Sequence, residues 1–277
     1  MTAGPPAALP GPALLFCPAD RPDRYGKALA AADGVILDLE DGVGAGAKQA
    51  ARAALTATPL DPARVIVRVN AAGSPGHAAD LAAAAQAGYR TIMVPKAETR
   101  EQLEDFDGWQ VVALCETPLG FVNAAAIAAA GPVTALMWGA EDLTAALGGR
   151  TSRLPDGRYR DFARHARSVA LLAAAAAGKL AVDSVYVNIT DLDGLAAEAE
   201  DAVASGFARK AAIHPSQVPV IRAAFRPDEA QAAWARRVLD AVAAGGGTDG
   251  TGVIKVDGQM IDAPLIRQAE AILAALA

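Results

Sequence analysis

The sequence predicts an α/β fold, a (β/α)8 TIM barrel with a C-terminal helical arm, and three observations carry that expectation. Eight short β-prone apolar runs alternate with alanine-rich helical stretches between Leu14 and His214. The runs are continuously apolar instead of alternating, which means burial on both faces and therefore a parallel sheet. The turn after the first run reads Cys17-Pro18-Ala19-Asp20, and the chain has neither G-x-G-x-x-G nor a phosphate loop. An open doubly wound sheet, the competing architecture, would be expected to carry such a fingerprint there.

The strands in order are Leu14-Leu-Phe-Cys17, Val35-Ile-Leu-Asp-Leu39, Val65-Ile-Val-Arg-Val-Asn70, Thr91-Ile-Met-Val-Pro95, Val111-Val-Ala-Leu-Cys115, Ala135-Leu-Met-Trp-Gly139, Val182-Asp-Ser-Val-Tyr-Val-Asn188 and Lys210-Ala-Ala-Ile-His214. Most strand ends are separated by one βα unit, and the longer gap from Gly139 to Asn188 predicts an insertion before strand seven. Thr99 with Gln102 forms a capping box. The stretch from Tyr159 to Leu172 reads as a helix with Phe162, Val169 and Leu172 on one face. Asp228 caps a further helix, followed by the glycine-rich tether Gly245 to Gly252, a β-prone stretch from Val253 to Asp262 and a last helix from Pro264 to Leu276. The expected organisation is a disordered tail over 1–12, a barrel over 13–244 and a tethered arm or lid over 245–277. Such an arm must dock on its own barrel mouth or on a neighbouring subunit.

Composition narrows the function classes. The 277 residues are 53% hydrophobic but only 5% aromatic, so the apolar content is largely alanine for close helix packing. The longest apolar run, from Val169 to Gly178, is half of the roughly 20 residues a membrane span needs. The Pro- and Gly-rich first residues carry no basic residue ahead of the apolar stretch and do not match a secretory signal, so a cytoplasmic location is expected. Cys17 and Cys115 each close an apolar strand and read as inert small hydrophobes in a reducing compartment. A net charge of −6 disfavours general nucleic-acid binding, which needs a basic face against phosphates.

In a barrel the reactive groups sit at the C-terminal ends of the strands, and here those ends are polar. Strand two ends in Asp38-Leu39-Glu40-Asp41-Gly42, strand three carries Arg68 and Asn70, and strand four is followed by Lys96. Strand five is followed by Glu116, strand six by Glu141 and Asp142, and strand eight ends at His214. Glu116 and Asp142 are about one βα unit apart, which puts two carboxylates on adjacent strands facing one space. Two oxygen ligands suit Mg2+, which keeps waters and accepts substrate oxygens in its remaining positions. Glu141 is the competing ligand, with Asp142 then capping the following helix. An unpaired Arg68 near the end of an apolar strand would be costly, so it should face an acid or an anionic ligand. His214 has the pKa for proton transfer, yet its place before Pro215 favours a structural hydrogen bond.

The motifs Leu15-Phe-Cys-Pro-Ala-Asp-Arg-Pro-Asp-Arg24, Val35-Ile-Leu-Asp-Leu-Glu-Asp-Gly-Val43, Val67-Arg-Val-Asn70, Val94-Pro-Lys-Ala-Glu98, Cys115-Glu-Thr-Pro-Leu-Gly120, Trp138-Gly-Ala-Glu-Asp-Leu143, Ala212-Ile-His-Pro-Ser-Gln217 and Gly258-Gln-Met-Ile-Asp262 occur in this order. Together they resemble the stand-alone citrate lyase beta-subunit-like family of the 2-oxo-acid aldolase superfamily, over nearly the whole chain from Ala13. The resemblance implies a Mg2+-dependent carbon–carbon lyase acting on coenzyme A thioesters and assembled as a homotrimer or hexamer. It implies that Glu116 and Asp142 hold the metal, that Arg68 and Glu116 contact substrate, and that Asp262 is the acid/base group brought in by the arm. Phe16, Arg21, Arg24 and Lys27 would contact coenzyme A, with Ile213 and His214 on the far wall.

The expected reaction is cleavage of a β-hydroxyacyl-CoA of the citryl, citramalyl, malyl or hydroxymethylglutaryl type to acetyl-CoA and an oxo acid such as oxaloacetate. Such a retro-Claisen step needs a base for the hydroxyl proton, a Lewis acid for the oxygen that becomes a ketone, and an acid to quench the enolate. The alternatives are the beta subunit of a multicomponent citrate lyase, acting on a carrier-bound thioester, and a catalytically silent scaffold of the same fold.

Overall fold

Inward and outward residues alternate along each strand of a closed cylinder, and in this chain both sets are apolar. In the computed structural model, which describes residues 9–244 and 254–276, β1 (Ala13–Pro18) turns Leu14 and Phe16 toward the interior cluster while Ala13, Leu15 and Cys17 are also buried. The same parity runs through β2 (Gly34–Asp38), β3 (Val65–Arg68), β4 (Thr91–Val94), β5 (Gln110–Cys115), β6 (Val133–Trp138), β7 (Leu180–Asp183) and β8 (Arg209–Ala212). Neighbours pair in parallel in chain order and β8 pairs back onto β1, so the eight expected strands close into a barrel. Ile36, Ile66, Met93, Val112, Met137, Val182 and Ala211 fill its centre.

The connecting helices are α1 (Pro22–Ala31), α2 (Lys48–Ala57), α3 (His77–Gln86), α4 (Glu101–Glu104), α5 (Pro118–Val122), α6 (Ala124–Ala128), α7 (Ala140–Ala146), α8 (Asp161–Ala176), α9 (Leu192–Ser205) and α10 (Gln217–Phe225). The insertion before β7 holds α7, a loop pinned by a bridge between Arg153 and Tyr159, and α8. The capping box at α4 is present, with Gln102 Oε1 accepting from the Thr99 N–H and Thr99 Oγ1 accepting from the Gln102 N–H. Among the described residues no helix is long and apolar enough to cross a membrane.

Within the barrel unit three expectations need correction. Strand seven ends at Asp183, not Asn188: the Ser184 carbonyl accepts from Lys210 Nζ at 2.8 Å, so the chain leaves the strand there. The buried face of α8 is Ala163, Ala166, Ala170, Ala173 and Ala174, while Leu172 is 69% exposed; small side chains let the helix lie close on β6 and β7. The tail over 1–12 does not reach its stated end. Leu9 is buried in the barrel core, and Arg209 donates to the carbonyls of Leu9 and Pro10 at 2.9 and 2.8 Å. Residues 1–8 of that tail, and the tether from Gly245 to Gly252, lie outside the described residues.

The chain forms two compact units, Met1–Arg222 and Ala223–Ala277. In the second, α11 (Glu229–Ala243) is capped by Asp228 through a full capping box and packs against α12 (Ala263–Ala274). Helix α11, expected to belong to the barrel, therefore belongs with the arm, since its apolar face is covered there. Between the two helices, β9 (Ile254–Val256) and β10 (Gln259–Ile261) form a hairpin whose turn, Asp257-Gly258, takes positive φ at both residues, as a two-residue turn of this hand requires. Ala235, Val238, Ile254, Val256, Ile261 and Ala269 make the core of this unit.

Between the barrel and its helices lies a buried ionic network. The fully buried Lys210 ammonium donates to Asp183 Oδ2 at 2.8 Å and Glu198 Oε1 at 2.9 Å, while Asp183 Oδ1 accepts from Trp138 Nε1 at 2.7 Å and Arg167 Nε at 2.9 Å. Burial opposes ionisation of Asp183, but Lys210 and Arg167 hold its carboxyl below the ordinary range. Removing one partner strands the remaining charges in a dry setting. Lys210→Met is therefore expected to destabilise the protein by about 3–5 kcal/mol in urea unfolding, and an unchanged midpoint would show the ammonium to be dispensable.

Candidate functional site

The inward parity that fills the barrel with apolar groups delivers polar ones at the last turn of each strand. Two residues beyond Ile36 comes Asp38, two beyond Ile66 comes Arg68, and two beyond Leu114 comes Glu116. These three line a cavity of about 410 Å3 at the C-terminal ends of the strands, together with Phe16, Met137, Gly139, Glu141, Asp142 and Ile213.

One side of the cavity is an ion-pair lattice. Arg68 grips Asp38 with two prongs, Nε to Oδ1 at 2.7 Å and Nη2 to Oδ2 at 2.6 Å. Asp38 also accepts from the backbone N–H groups of Glu40 and Gly42, both at 2.8 Å, and a β-carbon on Gly42 would lie 2.4 Å from Asp38 Oδ2. With four donors on its two oxygens, Asp38 is fully engaged in holding the loop and Arg68. The Phe16 ring packs on the guanidinium, 4.9 Å from its centroid. Arg68 Nη1 lies 3.1 Å from Glu40 Oε2, yet that buried oxygen has no aligned hydrogen-bond partner, so this edge of the guanidinium remains able to donate to a ligand. The other Glu40 oxygen is bound to Lys96 Nζ. Lys48 donates to the carbonyls of Leu39 and Glu40, each at 2.6 Å, and fixes the loop from beneath.

The facing side carries the carboxylate pair. Glu116 is 2% exposed, and burial first, then the charges of Asp142 and Glu40, push its pKa from 4.5 up to about 8. Its Oε1 accepts from the Lys96 N–H at 3.0 Å, and its Oε2 lies against Gly139, where a β-carbon would come within 2.9 Å. Gly139 is thus needed for room. Glu141, the competing ligand, accepts a hydrogen bond from Ser152 Oγ at 2.8 Å, whereas Asp142, on the same first turn of α7, is 42% exposed and 3.9 Å from Lys96 Nζ. Asp142 caps nothing: the N-cap of α7 is Gly139, with no side-chain cap bond.

Among the described residues, Asp38, Glu40, Asp41, Glu116, Glu141 and Asp142 gather around Arg68 and Lys96, an excess of acid that a divalent cation would relieve. The donors are all oxygen, which suits a hard cation. Among the described residues no three His, Cys, Asp or Glu groups converge to hold a metal. Two anionic ligands from the chain would leave the remaining positions to water or to a ligand's oxygens.

The structure brings Phe16, Arg68, Glu116, Asp142 and Ile213 together around one cavity. His214, Arg21, Arg24 and Lys27 are not among the residues that line it. His214 is exposed, its Nδ1 paired with Ser216 Oγ at 2.7 Å in the turn before α10. Arg21 pairs with Asp23, and Arg24 and Lys27 follow at helical spacing on the exposed face of α1. Asp262 is in the C-terminal unit, at the N-cap of α12, with no side-chain cap bond. Asn70 supports the loop, donating to Asp80 and to the Leu39 carbonyl. Asp38, Glu40 and Lys96 are strand-end polar groups to which the sequence alone assigns no part. Counting inward positions by twos would have found Asp38.

The family model of the HpcH/HpaI aldolase/citrate lyase family matches residues 13–215. The citrate lyase subunit beta-like protein of Mycobacterium tuberculosis is 54% identical over 263 residues, covering 95% of this chain and 94% of that protein. A (3S)-malyl-CoA thioesterase of Cereibacter sphaeroides is 36% identical over 267 residues, covering 92% and 90%. The crystal structure of the protein CitE from Mycobacterium tuberculosis in complex with magnesium, acetoacetate and coenzyme A superposes with a TM-score of 0.89 at 53% identity, over 96% of this chain and 98% of that one.

The raised pKa of Glu116 has a measurable sign. Between 4.5 and about 8 the folded, metal-free protein holds a proton that the unfolded chain has released, so stability falls as pH rises through that window and levels above it. In chelator, Glu116→Gln is expected to lose this part of the slope and to be more stable than wild type at pH 8 by urea unfolding. Parallel pH profiles for the two proteins would mean that Glu116 ionises normally.

Proposed function

This chain belongs to the HpcH/HpaI aldolase/citrate lyase family, and we propose that it is a Mg2+-dependent carbon–carbon lyase cleaving a β-hydroxyacyl-CoA thioester to acetyl-CoA and an oxo acid. The observation that carries this reading is the pair Glu116 and Asp142, set across one cavity from a guanidinium with an edge free to donate. Magnesium, an oxo acid and coenzyme A are also what the Mycobacterium tuberculosis structure contains.

Glu116 and Asp142 would hold the cation, and Glu141, already engaged by Ser152, would support from behind. When bound, Mg2+ supplies a Lewis acid for the oxygen that becomes the ketone. Arg68, kept charged by Asp38 despite its burial, offers Nη1 to a substrate carboxylate or an enolate oxygen. The apolar floor of Leu114 and Met137 excludes water beneath the reacting carbons. Asp262, or a water it orients, would move the proton, brought by the arm of a neighbouring subunit in a trimer or hexamer. Coenzyme A would lie between Phe16 and Ile213, its phosphates on Arg21, Arg24 and Lys27, with His214 at the edge. The buried free thiols Cys17 and Cys115 suit a cytoplasmic enzyme.

The relationship to a malyl-CoA thioesterase favours one second reading, hydrolysis of the thioester. A panel of citryl-, citramalyl-, malyl- and hydroxymethylglutaryl-CoA, with and without Mg2+, separates the two. Acetyl-CoA with an oxo acid marks the lyase; free coenzyme A with a hydroxy acid marks the hydrolase. Turnover only of a carrier-bound thioester would indicate a subunit of a multicomponent citrate lyase, and no turnover of any kind a silent scaffold.

Glu116→Ala and Asp142→Ala are each expected to abolish Mg2+-dependent turnover with the fold intact, and Glu141→Ala to be milder. The reverse order for Asp142 and Glu141 would overturn the ligand assignment. If the arm serves a neighbour, co-refolding Asp262→Ala with Glu116→Ala protomers should regain activity that neither parent has. Confirmed mixed oligomers without such a gain would show that each chain uses its own arm or none.

A further inference from the structure

We infer that Lys96 is a positioning residue whose strained backbone aims Glu116, an inference that rests on the metal reading of Glu116 and Asp142. Among the described residues only Lys96 and Asp257 combine a side chain with positive φ, and Asp257 lies in a hairpin turn that demands it. Lys96 has φ of 51° two residues beyond the end of β4, in a turn position where glycine or asparagine would be the unstrained choice. A residue with a β-carbon avoids this region unless its surroundings impose it, and such strain gathers where a group must be aimed.

The surroundings show what is aimed. Pro95 has no N–H to give to the sheet, and the Ala97 N–H returns to the ladder by donating to the Leu114 carbonyl at 3.1 Å. The left-handed turn between them takes the Lys96 N–H out of the ladder and points it at Glu116 Oε1, 3.0 Å away. With Oε1 held, Oε2 is pressed toward Gly139, at the β6–α7 junction that carries Asp142. One backbone donor thereby decides which oxygen of Glu116 is turned to its partner carboxylate. The Lys96 side chain does separate work. Its ammonium is bound to Glu40 and lies 3.8 Å from Asp41 and 3.9 Å from Asp142, tying the loops after β2 and β6 across the mouth.

Substitution separates the two parts, because every replacement removes the ammonium while only some keep the backbone. Glycine takes φ of 51° without strain and asparagine tolerates it, whereas valine, branched at Cβ, resists it. Binding of Mg2+ to the full chain, without substrate, is measured by calorimetry for Lys96→Gly, Lys96→Asn and Lys96→Val. The glycine and asparagine variants are expected to bind alike, and the valine variant about tenfold or more weaker, the loss that 1.4 kcal/mol of backbone strain would give. Circular dichroism in chelator checks that the valine variant is folded. If it is not, Lys96→Ala replaces it and should still bind more weakly than Lys96→Gly. Equal affinity of the glycine variant and the β-carbon variant overturns the inference while leaving the metal reading in place. Absence of Mg2+ binding by the wild type overturns both.

Discussion

Glu116 is carried to the mouth by an apolar strand and buried there with Asp142 nearby, so that neither water nor a single protein cation fully offsets its charge. The surrounding architecture manages this repulsion. Arg68 is held by Asp38, Asp38 by the backbone of Glu40 and Gly42, and that loop by Lys48 from below. Gly139 gives up its side chain so that Glu116 has space. The barrel thus spends stability to hold two carboxylates where a hard cation would be welcome. Strain and misfit concentrated at one point of an otherwise consistent fold are a mark of function.

A second layer of charge lies behind the first, and it is closed where the first is open. Asp183, Lys210, Glu198 and Arg167 satisfy one another between the barrel and its helices, and Trp138 joins them to the strand that ends beside Gly139. This network ties β6, β7 and β8, so the support beneath Glu141 and Asp142 is ionic as well as apolar. Alanine packing has the same consequence. The five buried alanines of α8 bring that helix close to β6 and β7, with little side-chain freedom lost in doing so.

Family membership and local chemistry constrain the function at different depths. Membership gives the aldolase/citrate lyase family and the barrel. The cavity adds the reason that an oxygen-rich cation site and a partly free guanidinium would face an oxo acid. Relatives that bear the names of a lyase subunit and of a thioesterase are both similar to this chain, so the choice between breaking the carbon–carbon bond and breaking the thioester bond rests on what controls water and protons at the mouth, not on the fold.

The eight strands, the barrel they close, the caps at Thr99 and Asp228 and the ring of strand-end charges were legible in the sequence alone. Each is written in local pattern: continuous apolar runs, Gln three residues past Thr99 or Asp228, and carboxylates just beyond the last apolar residue. What tertiary structure decided is everything that depends on a partner far along the chain. Glu141 and Asp142 are neighbours in sequence, and it is Ser152, bonded to Glu141, and Lys96, near Asp142, that set them apart. Strand seven stops where Lys210 captures the Ser184 carbonyl, and α11 joins the arm because α12 covers its apolar face. The left-handed backbone of Lys96 has no signature in a lysine. It exists because Glu116, twenty residues away, takes the N–H that the ladder does not.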